Sequence, residues 1–263
     1  MSSLTTVRHP KGPVETKPDR GAVPFVWAFF DSSVGAKLTV AFTGLGLVIF
    51  TVFHMIGNLK VFQGPEAINN YAYFLKHDLG ILIWIARAGL LALFVLHLTL
   101  AIRLTLRSRA ARPTPYAHPG SVQATISSRT MIWSGIVVGL FVLFHLAHFT
   151  FAWIHGAEIE PGKVVSYMDL PPKNGKADVY SMVVAGFTTP WLSILYIVAQ
   201  IVLFAHLMHG VQSSFQTLGL KNNRFRHVVR ILGFAIATLI LVGNVGIVLG
   251  VWFGFAPPLY PKA

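Results

Sequence analysis

Hydrophobic and polar positions follow one another along this chain in long blocks rather than short periods. Five blocks, near residues 38–58, 79–102, 131–154, 190–212 and 229–253, are almost uninterrupted apolar sequence. Crossing the hydrocarbon of a bilayer takes roughly 20 such residues at about 1.5 Å of helix rise each. The pattern therefore predicts an all-α membrane protein with five transmembrane helices over residues 38–253. A polar tail and helix entry at 1–37 precede them and a short tail at 254–263 comes after. Between the first two blocks, Pro65 to Lys76 places its apolar residues on one helical face, which predicts a short amphipathic helix lying at the interface as a lid. The segment from His155 to Pro190 is rich in Gly, Pro and charge without a strong period, and reads as an irregular loop with one interfacial turn. No soluble domain is expected.

Composition agrees with lipid as the solvent. The 263 residues are 54% hydrophobic and 11% charged, with a mean hydropathy of +0.63, too few charges to cover a soluble globule of this size. Met1 to Arg20 is polar and lacks the apolar core of a signal peptide, so it reads as a cytoplasmic tail. The absence of cysteine excludes disulfides, thiolate catalysis and a self-contained iron–sulfur cluster with Cys ligands. A net charge of +12 raises nucleic-acid binding, but that requires a basic face on a folded soluble domain, and here the basic residues flank apolar blocks.

Topology accounts for the charge instead. Arg8, Lys11, Lys17, Arg20 and Lys37 precede the first block; Arg103, Arg107, Arg109, Arg112 and Arg129 fill the second loop; Lys221, Arg224, Arg226 and Arg230 fill the fourth. These fourteen face six on the other side, which puts the N-terminus on the cytoplasmic side of a multi-pass membrane protein; a bacterial cytoplasmic membrane is the expected setting. The acidic residues Glu66, Asp78, Glu158, Glu160, Asp169 and Asp178 lie in the outer loops. Gly44 and Gly46 resemble part of a dinucleotide fingerprint, but no strand precedes them, so they read as positions of close helix or cofactor packing.

Histidine carries the candidate chemistry. Six of eleven lie inside apolar blocks: His54, His97, the pair His145 and His148, and the pair His206 and His209. An ionisable group within the membrane is costly and marks function or interhelical hydrogen bonding. His54 lies 17 residues after Lys37, His97 18 after Leu79, His145 16 after Arg129 and His206 16 after Pro190, so each comes late in its own helix. Because consecutive helices run in opposite directions, His54 and His145 share the outer half of the bilayer, and His97 and His206 share the inner half. The two planes stand about 20 Å apart, a separation that suits two stacked haems. A haem iron with imidazole on both faces has no open position and carries electrons. Spacing alone leaves His148 and His209 as alternates, since each shares a face with its neighbour three residues before. Arg87 is placed to pair with an outer haem propionate or to snorkel to the interface. His9, His118 and His227 read as surface residues, and His77 and His155 as solvated loop histidines at the outer boundary, where proton exchange is the alternative role.

Certain longer strings carry a resemblance. Ser32-Ser33-Val34-Gly35-Ala36-Lys37 runs into Thr43-Gly44-Leu45; Phe53-His54-Met55-Ile56-Gly57-Asn58-Leu59-Lys60 comes next, then Ile68-Asn69-Asn70-Tyr71-Ala72. Further on stand Leu96-His97-Leu98, Phe144-His145-Leu146 and Phe204-Ala205-His206-Leu207-Met208-His209-Gly210. In combination the chain resembles, over most of its length, the single-chain, five-helix, di-haem cytochrome b membrane anchor of succinate dehydrogenases and fumarate reductases. The resemblance implies two b-type haems, the outer on His54 and His145 and the inner on His97 and His206. It implies as partners a flavoprotein subunit, an iron–sulfur subunit and a membrane quinone, with no succinate chemistry on this chain alone. Glu66, His77 and Asp78 then become candidates for an outer quinone site, since a reduced quinone needs a proton acceptor. Ser33 and Lys37 are candidates for an inner one, although Ser33 also fits a helix N-cap and Lys37 a basic flank. The competing readings are the cytochrome b subunit of a formate dehydrogenase or hydrogenase, and a haem-free membrane scaffold.

Overall fold

The computed structural model describes residues 25–111, 130–220 and 222–260. Arg8, His9, Lys11, Lys17, Arg20, Arg112, His118, Arg129 and Lys221 fall outside them. Helix α1 (Phe25–Asp31) leads into α2 (Ser33–Asn58), which tightens into a 3-10 turn at Leu59–Gln63. Helix α3 (Pro65–Tyr73) continues as a π-turn at Phe74–Asp78, and α4 covers Ile81–Ala110. Helix α5 (Met131–His145) ends in a second π-turn at Leu146–Thr150. After it come an antiparallel hairpin of β1 (Gly156–Glu160) and β2 (Lys163–Ser166), α6 (Val179–Thr188), α7 (Pro190–Thr217) and α8 (Asn223–Trp252).

Among the described residues, five helical stretches are long and apolar enough to cross a bilayer: Ser33–Gln63, Ile81–Ala110, Met131–Thr150, Pro190–Thr217 and Asn223–Trp252. Several overrun the apolar blocks, α4 continuing through Arg103, Arg107 and Arg109. A backbone in lipid must satisfy its own hydrogen bonds, and long basic side chains let the helix continue while their charges reach water. Ser32, not Ser33, caps α2: its hydroxyl accepts from the Gly35 amide at 2.9 Å. At this arginine-bearing end Arg103 and Arg107 hold Asp31, and Arg103 also bonds the Phe30 carbonyl, which pins α1 to α4. We call it the arginine end and the opposite one the hairpin end.

The hairpin end departs from the sequence expectation. Where Gly, Pro and charge predicted an irregular loop, the chain forms the β1–β2 hairpin and the ten-residue helix α6. The turn between the strands uses Gly162 at φ +76. In α6 the buried residues Tyr180, Val183, Val184 and Phe187 fall on one helical face, a period diluted in the sequence by the polar residues before it. Asp178 caps that helix by accepting from the Ser181 amide at 3.1 Å. It also faces Asn69 of α3 and the Tyr260 hydroxyl, both at 3.4 Å, while Asn69 accepts from the Tyr180 amide at 3.0 Å. Helix α3 is therefore fastened to α6 and is not a free lid.

The main core lies at this end, where Val61, Ile68, Tyr180, Val184, Tyr196 and Ile247 pack together. Helix α8 lies along α7, joined within the span by Asn244 donating to Gln200 at 3.0 Å. Helices α2, α4, α5 and α7 make up a loose four-helix arrangement in which α4 packs chiefly on α2. The hairpin-end half of α4 is largely uncovered, with Ile81, Leu82, Trp84 and Ile85 exposed.

Candidate functional site

The hairpin-end histidines come from α2 and the last residue of α5. The rings of His54 and His145 lie 5.8 Å apart, centre to centre, with their planes at 88°. With metal–imidazole bonds of about 2 Å, two imidazoles on one metal have ring centres roughly 6 Å apart, so the pair spans the distance a shared iron requires. Phe50, one turn before His54, stacks on it at 5.3 Å. His145 Nδ1 meets the Tyr196 hydroxyl of α7 at 3.2 Å, while its Nε2 makes no hydrogen bond among the described residues.

The second level is drawn from α4 and α7. His97 Nδ1 lies 3.1 Å from the Val40 carbonyl and 3.3 Å from the Thr43 hydroxyl, both on α2. His206 Nδ1 lies 3.2 Å from the Ser134 hydroxyl on α5. Each ring rests where the facing helix has no side chain: a Cβ on Gly44 would stand 3.0 Å from His97 Cε1, and one on Gly135 3.3 Å from His206 Cε1. These contacts fix the depth. Gly44 is ten residues toward the arginine end from His54, and Gly135 ten residues from His145, so the two levels stand about 15 Å apart.

No family model matches the chain, nor does any curated protein or solved structure. The geometry of the histidines themselves limits what they can hold. Among the described residues no three His, Cys, Asp or Glu side chains converge, so a zinc-type cluster does not fit. Paired imidazoles do suit a planar cofactor that takes one ligand on each face. A ligating imidazole is normally oriented by a hydrogen bond from its other nitrogen, and His97, His145 and His206 each have such a partner at Nδ1, with Nε2 uncommitted among the described residues. The donor set fits haem.

Of the two alternates, His148 is committed elsewhere. It is fully buried, its Nδ1 lies 3.0 Å from the Tyr196 hydroxyl and its Nε2 3.3 Å from the Tyr167 hydroxyl, so both nitrogens are engaged. His209 makes no ring hydrogen bond among the described residues, and neither does His54. The remaining candidates do not converge on the histidines. Arg87 is exposed and lies over the Trp84 ring at 4.9 Å. Glu66 is exposed in the first turn of α3; His77 stacks on Tyr73 at 4.5 Å beside exposed Asp78. Ser33 and Lys37 are exposed at the arginine end.

Two tyrosines outside the expected set, together with the boundary residue His155, extend from the hairpin-end pair through His148. Tyr196 and Tyr167 are buried, and His155 Nδ1 lies 2.7 Å from the Tyr167 hydroxyl. Burial holds the Tyr167 phenol well above its usual range and lowers the affinity of His155 for a proton, so both are neutral at neutral pH. The Tyr180 phenol is raised by burial and by the Asp178 carboxylate. Tyr196 had a sequence signal, a lone phenol inside an apolar block, where a hydroxyl needs a partner. Tyr167 had none, because its burial depends on the hairpin folding back.

The backbone explains how His155 reaches this place. The π-turn closes with the Phe151 amide bonded to the Leu146 carbonyl at 2.8 Å, and Ala152 then takes φ +53, a left-handed conformation usually left to glycine. The Trp153 amide returns to the Ala147 carbonyl at 2.9 Å. This reversal turns the chain into β1 and puts the His155 ring 6.0 Å from that of His148.

Proposed function

We propose that this chain is the di-haem cytochrome b membrane anchor of a succinate dehydrogenase or fumarate reductase, which passes electrons between an iron–sulfur partner and a membrane quinone. The observation that carries this reading is the set of three histidines held at Nδ1 and, among the described residues, free at Nε2, arranged with His54 on two levels about 15 Å apart. When bound, haem with imidazole on both faces supplies one-electron transfer and offers no open position to oxygen. His54 and His145 would hold one haem and His97 and His206 the other.

The chain's own residues prepare these positions. The Val40 carbonyl and the Thr43, Ser134 and Tyr196 hydroxyls fix ring orientation and strengthen the ligating nitrogen. Gly44 and Gly135 admit the rings. In this reading the arginine end faces the cytoplasm of a bacterium, where its basic surface meets the iron–sulfur subunit, itself joined to a flavoprotein. The hairpin end faces outward with Glu66, His77 and Asp78 beside a quinone site; Ser33 and Lys37 stand at the other face for an alternative site.

A reduced-minus-oxidised spectrum of the purified chain tests the proposal. Two low-spin b haems per chain are expected, together with co-purifying flavoprotein and iron–sulfur subunits. A spectrum without a haem α band, or a complex lacking a flavoprotein, would reject it.

A further inference from the structure

His148 sits at 0% exposure inside a membrane helix, takes no part in the histidine pairs, and has both nitrogens bonded. It is the centre of an unbroken series. The Tyr196 hydroxyl reaches His148 Nδ1 at 3.0 Å, His148 Nε2 reaches the Tyr167 hydroxyl at 3.3 Å, and that hydroxyl reaches His155 Nδ1 at 2.7 Å. His155 Nε2 then meets the Thr189 hydroxyl at 3.1 Å. Exposure rises along it: Tyr196 and Tyr167 are buried, and His155 and Thr189 are half-buried at the edge of the hairpin.

The hydrogen bonds admit one polarity throughout. If His145 ligates through Nε2, its Nδ1–H donates to Tyr196. The Tyr196 hydroxyl then donates to His148 Nδ1, and His148 Nε2–H donates to Tyr167. Tyr167 in turn donates to His155 Nδ1, and His155 Nε2–H donates to Thr189. Every link receives one hydrogen and no two donors face each other. Satisfying buried polar groups explains each bond separately; contiguity from a membrane helix to the half-buried His155 is what the passage of a proton requires in addition.

We propose that Tyr196, His148, Tyr167 and His155 form a proton relay between the hairpin-end histidine pair and the aqueous face. The relay rests on the proposed function, in which quinone chemistry accompanies electron transfer, and it assigns that chemistry to the hairpin end. A proton delivered to the Tyr196 oxygen displaces that residue's own proton to His148 Nδ1. His148 releases its Nε2 proton to Tyr167, Tyr167 passes its proton to His155 Nδ1, and His155 gives up its Nε2 proton at the surface. One proton enters and one leaves; no electron moves along the relay, and a concerted shift leaves no member charged. The proton source is a hydroquinone, which releases two protons as its two electrons pass singly to the haems that the chain would hold; each proton leaves in its own passage, and the rings and hydroxyls return to their first tautomers and orientations in between.

The test is rapid mixing of the full chain, in native membranes, with reduced tetramethyl-1,4-benzoquinone in H2O and in D2O, monitoring the haem α band, with dithionite as the control reductant. Tyr167→Phe cuts the series at its middle while keeping the ring. It is expected to slow hydroquinone-driven reduction about a hundredfold, the lower end of what a positioned proton-transfer group contributes. The solvent isotope effect should rise and the dithionite rate should stay unchanged. His155→Gln, altered at the half-buried end, should act in the same direction and decides the matter if Tyr167→Phe loses its α band. Imidazole in solution should restore part of the rate to His155→Ala. Hydroquinone rates equal to those of the unmodified chain, or slower rates with an unaltered isotope effect, overturn the relay alone. No α band in the unmodified chain overturns the haem reading and this inference with it.

Discussion

The two histidine levels are built from the same residue type and serve different surroundings. At the arginine-end level each ring is held by short-range partners: His97 by a carbonyl and a hydroxyl of α2, His206 by one hydroxyl of α5. The hydrogen bonding of Thr43 turns back into its own helix, to the Thr39 carbonyl at 2.7 Å, and that of Ser134 to the Met131 carbonyl at 3.0 Å. At the hairpin-end level the partner of His145 is itself bonded onward, through His148 and Tyr167, to a half-buried histidine. A closed hydrogen-bond shell orients a ligand. An open-ended one also gives a path to water, and only the hairpin-end level has it among the described residues.

The largest effect that would sharpen this contrast is loss of a cofactor. His54→Ala is expected to abolish one haem and leave the other, and His97→Ala the reverse, read as halved α-band amplitude with different midpoint potentials. Loss of both haems from either variant would break the assignment into separate levels. Next come the orienting partners: Ser134→Ala and Tyr196→Phe should each weaken haem retention about 10- to 100-fold at its own level only, measured by haem release to an acceptor protein.

Smaller changes should appear as stability. His148→Ala is expected to keep both haems yet lower the unfolding free energy by about 1–3 kcal/mol, because the buried Tyr196 and Tyr167 hydroxyls lose their shared partner; a missing hairpin-end haem would make His148 the ligand. Asp178→Ala should cost about 1 kcal/mol through the lost helix cap, with the spectrum unchanged. Thermal melting monitored by the α band and by far-ultraviolet dichroism separates the two.

Much of the helical layout was legible because apolar block length and helix rise are tied by the thickness of a bilayer. Block edges were less legible: Arg103 to Arg109 read as loop but continue α4, since a long basic side chain reaches water from a helix inside the boundary. Depth counting brought His54 and His145 together, but it overestimated the separation of levels, about 20 Å against about 15 Å, because helix ends were assumed and the contacts at Gly44 and Gly135 were not visible. Between His145 and His148 spacing could not choose, because both reach Tyr196. Only the second bond of His148, to a tyrosine 19 residues away on a folded-back hairpin, separates them. The hairpin itself was hidden by composition, since Gly, Pro and charge signal turns without saying whether the segments between them pair.

The π-turn at Leu146–Thr150 has a consequence for how such a protein changes over generations. Each residue removed from a helix rotates the rest of that helix by about 100°. Deleting one residue from this turn would restore a regular α-helix and swing His148 away from Tyr196, with every side chain of the series still encoded. Between otherwise similar chains, a gap of one position here would therefore mark the loss or gain of proton access more surely than any substitution.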